Sequence, residues 1–405
     1  MSGYDFLKDL IVLEVSQLGP DGLGMQLADM GATVVKVETP DGGDPVRYSG
    51  FTAVGEPDGF SYMHMRWNRG KRSLSLDMKT DKGREIFRAL AAKADVVIEG
   101  MRAGVLERLG LGYEALKAIN PRLVFCTING MGATGPYAPM ASHGPSFDAY
   151  GGLGQIDKRK DISNFGGEQP TSIGMHAVGI VAAVGVLSAV IKAQRTGEGA
   201  ALEVAAADCA ALWLPDAIDP VLNPDQTFER PGFADSQKRM LRWPRMDNYR
   251  TADGKAIYFM GLTEKYWQSF ARLVDRPDLA TIYADAPSEE DADRIVHGEL
   301  TAIFLTRSQA DWIAALRTVD IPVMPVNSFK DVVADPHFVA RNNVYAVTHP
   351  KAGKMTLVST PIKTSQPFRA DLAPLLGEHS EALLQDLLGL DGEAVAALRT
   401  DGVVG

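Results

Sequence analysis

The chain has 405 residues, of which 45% are hydrophobic and 23% are charged. Forty-one basic residues against 51 acidic ones give a net charge of −10. This composition excludes a wholly disordered chain, and the length predicts two domains, or at most three. The acidic balance argues against a nucleic-acid partner, which needs a basic face. Two cysteines are too few for a disulfide framework.

The first third of the chain alternates strand and helix patterns. Apolar runs with many β-branched residues predict four strands, at 10–15, 32–38, 94–99 and 123–128. Amphipathic spacing predicts helices between them, at 25–30, at 82–92 and in a segment ending at 116–119. Strands separated by helices predict a mostly parallel, doubly wound sheet.

The middle of the chain is less regular. Gly, Pro, Ser and Asp dominate residues 132–174, as is typical of long loops around a site. A helix is predicted from about 175 to 193, and a strand begins at 201. The apolar core of that helix, 177–191, is shorter than the ~20 residues that a bilayer requires. With no signal-peptide pattern at the start, we expect no membrane association and a cytoplasmic location.

The remainder predicts a smaller second unit and a returning tail. Asp253 and Gly254 form a strong hairpin turn. Three helices follow it, at 264–274, 289–305 and 308–319, and then a Pro-bounded strand at 321–326. The tail predicts a last strand at 355–359 and a last helix at 381–387. We expect the domains to comprise the first part of a large domain, a linker, a small α/β domain, and a linker with the return to the large domain: 1–215, 216–245, 246–330 and 331–405.

Familiar catalytic signatures are absent or incomplete. Gly22 and Gly24 resemble the start of a dinucleotide-binding loop, but the third glycine is missing. No two of the seven histidines have metal-ligand spacing, so no metal site is expected. His143 differs from the others because it lies in the Gly-rich segment.

A cluster of basic residues is the better indication of a ligand. It lies in one short segment and consists of Arg66, Arg69, Lys71 and Arg72. In an acidic protein such a cluster indicates a phosphorylated ligand. A solvated charged surface explains the same residues equally well.

Several motifs together resemble a known family. They include Gly-Ala-Thr-Val-Val-Lys-Val-Glu, Gly-Lys-Arg-Ser-Leu-Ser-Leu-Asp-Met-Lys, Leu-Gly-Leu-Gly-Tyr-Glu, Arg-Thr-Gly-Glu-Gly and Leu-Gly-Glu-His-Ser, at 31–38, 70–79, 109–114, 195–199 and 376–380. In this order they resemble the family III CoA-transferases, which include formyl-CoA transferase, carnitine CoA-transferase and the 2-methylacyl-CoA racemases. The resemblance covers nearly the whole chain. It implies a Rossmann-like large domain, a small α/β domain and an interlocked dimer.

The resemblance also implies a binding site for coenzyme A, which acts as a substrate and not as a permanently bound cofactor. By position, the residues that contact CoA are Gln17, Leu18, Lys79, Gly100, Met101, Arg102 and Arg108. The three cations among them would bind phosphates, because phosphate accepts charge-assisted hydrogen bonds. One departure is Thr39, which stands where family members often carry Arg.

A second departure concerns the nucleophile. The family's transferases attack the thioester with an Asp at the start of the central helix, and the motif Ile173–Gly179 places Met175 there. A thioether cannot form the acyl anhydride. His176 is an alternative nucleophile or base, but it is displaced by one residue, or ~100° around a helix, and should point elsewhere. Asp148 and Glu168 flank the site in sequence, and either is an alternative source of a carboxylate.

Three hypotheses follow. In the first, this chain is the non-nucleophilic subunit of a heteromeric CoA-transferase. It resembles such a subunit of the family's transferase that activates benzylsuccinate. It would move CoA between a donor such as succinyl-CoA and a carboxylic acid, in an interlocked dimer with an Asp-bearing homologue, or otherwise as a homodimer. In the second, it is a 2-methylacyl-CoA racemase that uses His143, which matches the racemase histidine. In the third, it binds CoA without catalysis.

Overall fold

The computed structural model describes residues 2–53, 60–101, 104–153, 172–226 and 243–405. Contacts between Cα atoms divide the chain into two units. The large unit comprises Met1–Pro215 together with Pro336–Gly405, and the small unit comprises Asp216–Asp335.

A six-stranded parallel sheet forms the centre of the large unit. Its strands in chain order are β1 Ile11–Ser16, β2 Thr33–Glu38, β3 Arg72–Ser75, β4 Val96–Gly100, β5 Val124–Asn129 and β6 Ala200–Ala205. Their order in the sheet is β3-β2-β1-β4-β5-β6, and every neighbouring pair is parallel. This is the doubly wound order of a Rossmann-like fold, so the predicted fold class is confirmed. The chain reverses direction across the sheet between β1 and β4, which opens a crevice at their carboxyl ends.

The helices of this part of the large unit cover both faces of the sheet. They are α1 Asp21–Asp29, α2 Tyr62–Trp67, α3 Asp81–Ala91, α4 Val105–Arg108, α5 Tyr113–Ile119, α6 Pro145–Tyr150, α7 Ile173–Thr196 and α8 Ala206–Ala211, with a 3-10 helix at Pro45–Tyr48. One core lies on each face of the sheet, because β1 turns Leu13 towards one core and Val12 towards the other. Strands buried on both faces explain the continuous apolar runs in the sequence.

Helix α7 extends beyond the predicted apolar run. Among the described residues it is the one helix long and apolar enough to cross a membrane, and half of its apolar window is buried in the structure. Ala182 and Val186 lie in the core against the sheet, as expected of a core helix. The other face exposes Ile180 and Val184, at 53% and 66%. The cytoplasmic location stays a prediction.

The small unit contains an antiparallel sheet packed against helices. Helix α9 Pro215–Leu222 and a 3-10 helix at Pro224–Gln226 precede it. Its remaining elements are β7 Met246–Arg250, β8 Ala256–Met260, α10 Glu264–Leu273, α11 Pro277–Asp285, α12 Glu289–Phe304, α13 Gln309–Thr318, β9 Val323–Pro325 and α14 Phe329–Ala334. The predicted hairpin is confirmed as β7 and β8, which pair antiparallel around the Asp253–Gly254 turn.

The C-terminal segment returns to the large unit. It contains α15 Pro336–Ala340, the antiparallel hairpin of β10 Val344–His349 and β11 Gly353–Val358, α16 Ser380–Leu388 and α17 Gly392–Thr400. Leu384 of α16 and Leu398 of α17 pack in the same core as Leu13 of β1. The tail therefore completes one face of the parallel sheet.

Candidate functional site

Four of the residues that were expected to contact CoA lie at the carboxyl ends of β1 and β4. Ser16 at the end of β1 pairs with Gly100 at the end of β4, and Gln17, Leu18 and Met101 follow directly in the chain. A Cβ on Gly100 would lie 2.4 Å from the Cβ of Ser16, so only glycine fits here. Leu18 has a φ of 59°, a left-handed conformation that marks a constrained turn.

The three expected phosphate-binding cations lie further out. Lys79 is exposed in the loop after β3, which lies two strands from β1 in the sheet. Arg108 is exposed at the end of α4. The buried carboxylate of Glu99 accepts a hydrogen bond from the Leu106 N–H at 2.9 Å, which fixes α4 to β4. Burial raises the pKa of Glu99. Arg102 lies outside the described residues.

Asp148 is committed to the N-terminus of α7. Its two carboxylate oxygens accept hydrogen bonds from the backbone N–H groups of Ile173 and Gly174, both at 2.8 Å. The side chain of Ser172 accepts a third, from Met175. Asp148 is only 8% exposed, so it caps the helix and compensates its dipole. Glu168 lies outside the described residues.

Met175 packs against the turn between β1 and α1. A Cβ on Gly19 would lie 2.7 Å from the Cγ of Met175. The side chain also packs, with Leu18, against a small cluster of Met25, Val46 and Trp67. The position where the family carries its nucleophile therefore faces the crevice with an apolar, uncharged side chain.

The two histidines near this turn have different surroundings. His176 is exposed, and its ring lies 6.1 Å from the ring of Trp67. Partial burial and the charge of Arg66 lower the pKa of His176, while Asp148 opposes this shift. His143 is exposed in the loop before α6, where its backbone bonds to Ser146. Among the described residues, no carboxylate accepts a hydrogen bond from the imidazole of His143.

A buried cluster of ion pairs supports the turn between β1 and α1. The Lys36 Nζ lies 2.8 Å from a carboxylate oxygen of Asp21 and 2.8 Å from one of Asp44, and it donates to the Ser16 carbonyl at 3.1 Å. Burial opposes the charge of Lys36, but the two carboxylates outweigh it and raise the pKa of the amine. Burial together with the charge of Asp21 raises the pKa of Asp44 to about 7.

The basic segment at 66–72 differs from both interpretations given to it. Arg69 forms a buried ion pair with Asp29, and Lys71 forms one with Glu14 at 2.5 Å. These two cations therefore bind neither a phosphate nor solvent, because each already has an anionic partner. Only Arg66 and Arg72 of the segment are exposed. The sequence signal for these pairs was a charged residue inside an otherwise apolar strand, as at Glu14.

A large cavity among the described residues does not coincide with the crevice. It has a volume of about 1170 Å³ and is lined by Thr33 and Arg72, which begin β2 and β3. These residues lie at the amino ends of the strands, whereas ligands of doubly wound sheets bind at the carboxyl ends. Across the described ranges, no group of three or more His, Cys, Asp or Glu residues could hold a metal ion.

Comparisons with known proteins give the family. The model of CoA-transferase family III matches residues 7–380. The chain is 34% identical over 402 residues to a succinyl-CoA:mesaconate CoA-transferase of Haloarcula hispanica, covering 94% of this chain and 96% of that protein. It is 28% identical over 396 residues to the beta subunit of a succinyl-CoA–L-malate CoA-transferase of Chloroflexus aurantiacus, covering 93% of each. A crystal structure of a CAIB/BAIF family protein from Brucella suis superposes with a TM-score of 0.74 at 29% identity, covering 95% of this chain and 100% of that one.

The sheet order defines a doubly wound α/β protein, a fold whose ligands generally bind at the carboxyl ends of the strands where the strand order reverses. The match across residues 7–380 makes the class specific: the chain belongs to CoA-transferase family III. The expectation of a CoA-transferase polypeptide is thereby confirmed. The roles of the individual site residues stay predictions.

Proposed function

We propose that this chain takes part in transferring CoA from succinyl-CoA to a small carboxylic acid, as the subunit that lacks the nucleophile. The relatives named above are transferases that use succinyl-CoA, and one of them is a subunit of a heteromer. The observation that carries the proposal is the surroundings of Met175, which packs on Gly19 and on the apolar cluster of Met25, Val46 and Trp67. Asp148, at the start of the same helix, is held by two helix N–H groups.

The chemistry would then take place on an Asp-bearing partner. Its carboxylate attacks the thioester carbonyl, and the C–S bond breaks to release CoA thiolate and leave a mixed anhydride. The thiolate attacks the aspartyl carbonyl of this anhydride, which releases the first acid and forms an aspartyl-CoA thioester. The acceptor acid then repeats these two exchanges in reverse. A thioether has no oxygen that could enter this sequence, so Met175 cannot replace the carboxylate.

The apolar surface of the large unit supports a protein partner. Ile180 and Val184 are exposed on α7, and Leu212, Trp213 and Leu214 are exposed just after α8. Such patches mark protein interfaces. We propose that they are covered in an interlocked dimer with an Asp-bearing homologue, or otherwise with a second copy of this chain. We further propose a CoA site at the carboxyl ends of β1 and β4, lined by Gln17, Leu18, Gly100 and Met101. Its phosphates would be bound by Lys79, Arg102 and Arg108.

The test is to locate the covalent intermediate. We would co-express the chain with an Asp-bearing homologue, incubate the complex with isotope-labelled succinyl-CoA, and analyse peptides by mass spectrometry. The expected adduct lies on the partner, and the peptide that contains Met175 carries none. An adduct on that peptide, or full-rate transfer by this chain alone, would overturn the proposal.

A gain-of-function variant sharpens this test. Met175→Asp restores the family's residue, and a carboxylate in the first turn of α7 is compatible with the helix dipole. We expect this variant to acquire the labelled adduct. Met175→Asn is the matched control, because its neutral amide has the size of Asp but lacks the attacking carboxylate, and it should remain unlabelled.

A further inference from the structure

The large cavity described above lies at the edge where the strands of the parallel sheet begin, opposite the crevice. Thr33 and Arg72, which begin β2 and β3, are part of its wall. Every residue that lines it belongs to the large unit. Its volume of about 1170 Å³ is sufficient for a metabolite, because small-molecule pockets usually measure about 300–1,000 Å³. The CoA chemistry proposed above makes no use of this cavity.

His349 presents an unused hydrogen-bond donor at the wall of the cavity. It lines the cavity although the residue is only 4% exposed, and its ring packs against Phe60 at 4.7 Å between centroids. Its Nδ1 atom accepts the backbone N–H groups of Lys351 and Ala352, at 3.2 and 3.0 Å. Burial and the charge of Lys351 lower the pKa of His349, so the ring is neutral near pH 7 and carries its proton on Nε2. Within the described ranges this Nε2–H group has no acceptor, which leaves it for a ligand.

The start of α16 forms another part of the wall. Gly377 and His379 donate their backbone N–H groups to the Oγ and the carbonyl oxygen of Ser73, at 2.9 and 3.1 Å, so the helix start is fixed to β3. Among the described residues, no side chain caps this helix and no acceptor is bonded to the N–H groups of Glu381 and Ala382. Ala382 lines the cavity. Unpaired N–H groups at the N-terminus of a helix attract anions.

Two basic side chains lie beside this helix start. Arg72 directly precedes Ser73 in β3 and lines the cavity, and no residue that the structure describes forms a hydrogen bond or an ion pair with its guanidinium. His379 also lines the cavity, and its Nδ1 atom accepts the N–H of Ser73 at 3.4 Å. Burial lowers the pKa of His379, Glu378 opposes this, and the charge of Arg72 lowers it further. The neutral ring of His379 therefore carries its proton on Nε2, as His349 does.

The remaining charged groups of the lining restrict where an anion can lie. Lys8 and Lys351 add two cations, and the carboxylates are those of Asp9, Asp371, Glu378 and Asp386. The carboxylate of Glu378 accepts the N–H of Leu375 at 2.8 Å and is partly compensated by it. An anionic group therefore belongs beside Arg72 and the N–H donors. The carboxylates suit hydroxyl groups on the rest of the ligand, because a carboxylate accepts hydrogen bonds.

We propose that this cavity is a second ligand site, which binds the phosphate group of a small hydroxyl-bearing metabolite such as a sugar phosphate. Arg72 would form charge-assisted hydrogen bonds with the phosphate oxygens. The Nε2–H groups of His349 and His379 and the N–H groups of α16 supply further donors. A metal ion does not suit the two imidazoles, because it would need the Nε2 lone pairs that these tautomers lack. The inference does not rest on the proposed function, since the cavity and the crevice lie at opposite edges of the sheet.

The experiment is calorimetric titration of ribose 5-phosphate into the full chain, with and without an excess of CoA. Inorganic phosphate and ribose are the comparison ligands. We expect ribose 5-phosphate to bind more tightly than inorganic phosphate, and ribose alone not to bind. An excess of CoA should leave this binding unchanged. Loss of binding in the presence of CoA would place the ligand in the CoA site and overturn the inference.

Two pairs of variants test the donors. Arg72→Gln should weaken binding about tenfold or more, since it removes a charge-assisted contact. Its matched control is Arg317→Gln, which makes the same change at an exposed arginine of the small unit. His349→Asn should weaken binding about fivefold, because Asn keeps an acceptor near the position of Nδ1 and removes the Nε2–H group. Its control is His297→Asn, at an exposed histidine outside the cavity, and circular dichroism would show that each variant is folded.

Hydrogen exchange of the wild-type chain gives a check that needs no variant. Bound ribose 5-phosphate should slow exchange at the amides of Glu381 and Ala382 and leave the start of α7 unchanged. Unchanged exchange at the start of α16 would contradict the site.

Three calorimetric results would also overturn it: no binding of ribose 5-phosphate at about 10 mM, a limit that corresponds to negligible affinity, binding no tighter than that of inorganic phosphate, or equal losses in Arg72→Gln and Arg317→Gln. The two proposals fail separately. A complex that transfers CoA although this chain binds no sugar phosphate retains the proposed function and refutes the second site. A chain that binds ribose 5-phosphate and itself forms the covalent adduct does the reverse.

Discussion

Replacing Lys36 with Met tests whether the buried ion-pair cluster holds the turn between β1 and α1. Lys36 is completely buried and compensates the carboxylates of Asp21 and Asp44, each at 2.8 Å. It also donates to the Ser16 carbonyl, the last residue of β1. Removing the amine leaves two buried carboxylates without their cation and removes one support of the turn.

The expected loss follows from this geometry. Removing one partner of a buried ion pair costs about 3–5 kcal/mol, because the remaining charge is uncompensated. Since Lys36 serves two carboxylates, we expect Lys36→Met to lower the free energy of unfolding by about 5 kcal/mol, the upper end of that range. The matched control is Lys82→Met. The pair of Lys82 and Glu85 is 61% and 62% exposed, so its loss should cost below ~1 kcal/mol.

The loss of stability in Lys36→Met should depend on pH, in a direction set by the pKa values of the two carboxylates. In wild type, burial opposes the ionisation of Asp21, but Lys36 outweighs it and lowers the pKa of Asp21. Without Lys36 the pKa values of Asp21 and Asp44 both rise above those of the unfolded chain. A raised folded pKa contributes stability that is present at low pH and lost as pH rises through it. The deficit of Lys36→Met should therefore be larger at about pH 8 than at about pH 5.5.

Urea unfolding followed by circular dichroism, at one fixed protein concentration, measures both effects. The double variant Lys36→Met with Asp44→Asn should regain part of the loss, because one of the two stranded charges is neutralised. Equal losses in Lys36→Met and Lys82→Met, or a deficit independent of pH, would refute the account of the cluster.

Two further predictions concern carboxylates around the site. Burial and the charge of Asp21 raise the pKa of Asp44 to about 7. The free energy of unfolding of wild type should therefore fall as pH rises from about 4 to 7, by at most ~1.4 kcal/mol per pH unit. Asp44→Asn should reduce that slope in urea titrations, and an unchanged slope would assign it to another group. Asp148→Ala should destabilise the start of α7 by about 1–2 kcal/mol and accelerate hydrogen exchange at the amides of Ile173 and Gly174, which it caps; unchanged protection there would contradict the capping.

The parallel sheet could be predicted because its strands are buried on both faces, so their sequences are continuous apolar runs. Strand β3 was missed for the opposite reason. It has only four residues and begins at Arg72, and it lies at the edge of the sheet. Its place depends on pairing with β2, where Val35 lies beside Arg72. Such pairing is a tertiary event without a local pattern.

The site was predictable only in part. Resemblance gave the position of Met175, and the structure places it against Gly19 at the crevice. The partner of each buried charge was not predictable, because Glu14 and Lys71 are 57 residues apart in sequence and meet only through the fold. A charged residue inside an apolar strand indicates that it has a partner, but the sequence does not show which residue that partner is.

The side chains that support the turn between β1 and α1 are separate from the residue at position 175. The turn is held by Lys36 and Asp21 through charge, and Met175 touches it only by packing on Gly19. Exchanging the residue at 175 therefore changes the charge of the crevice and leaves its supports intact.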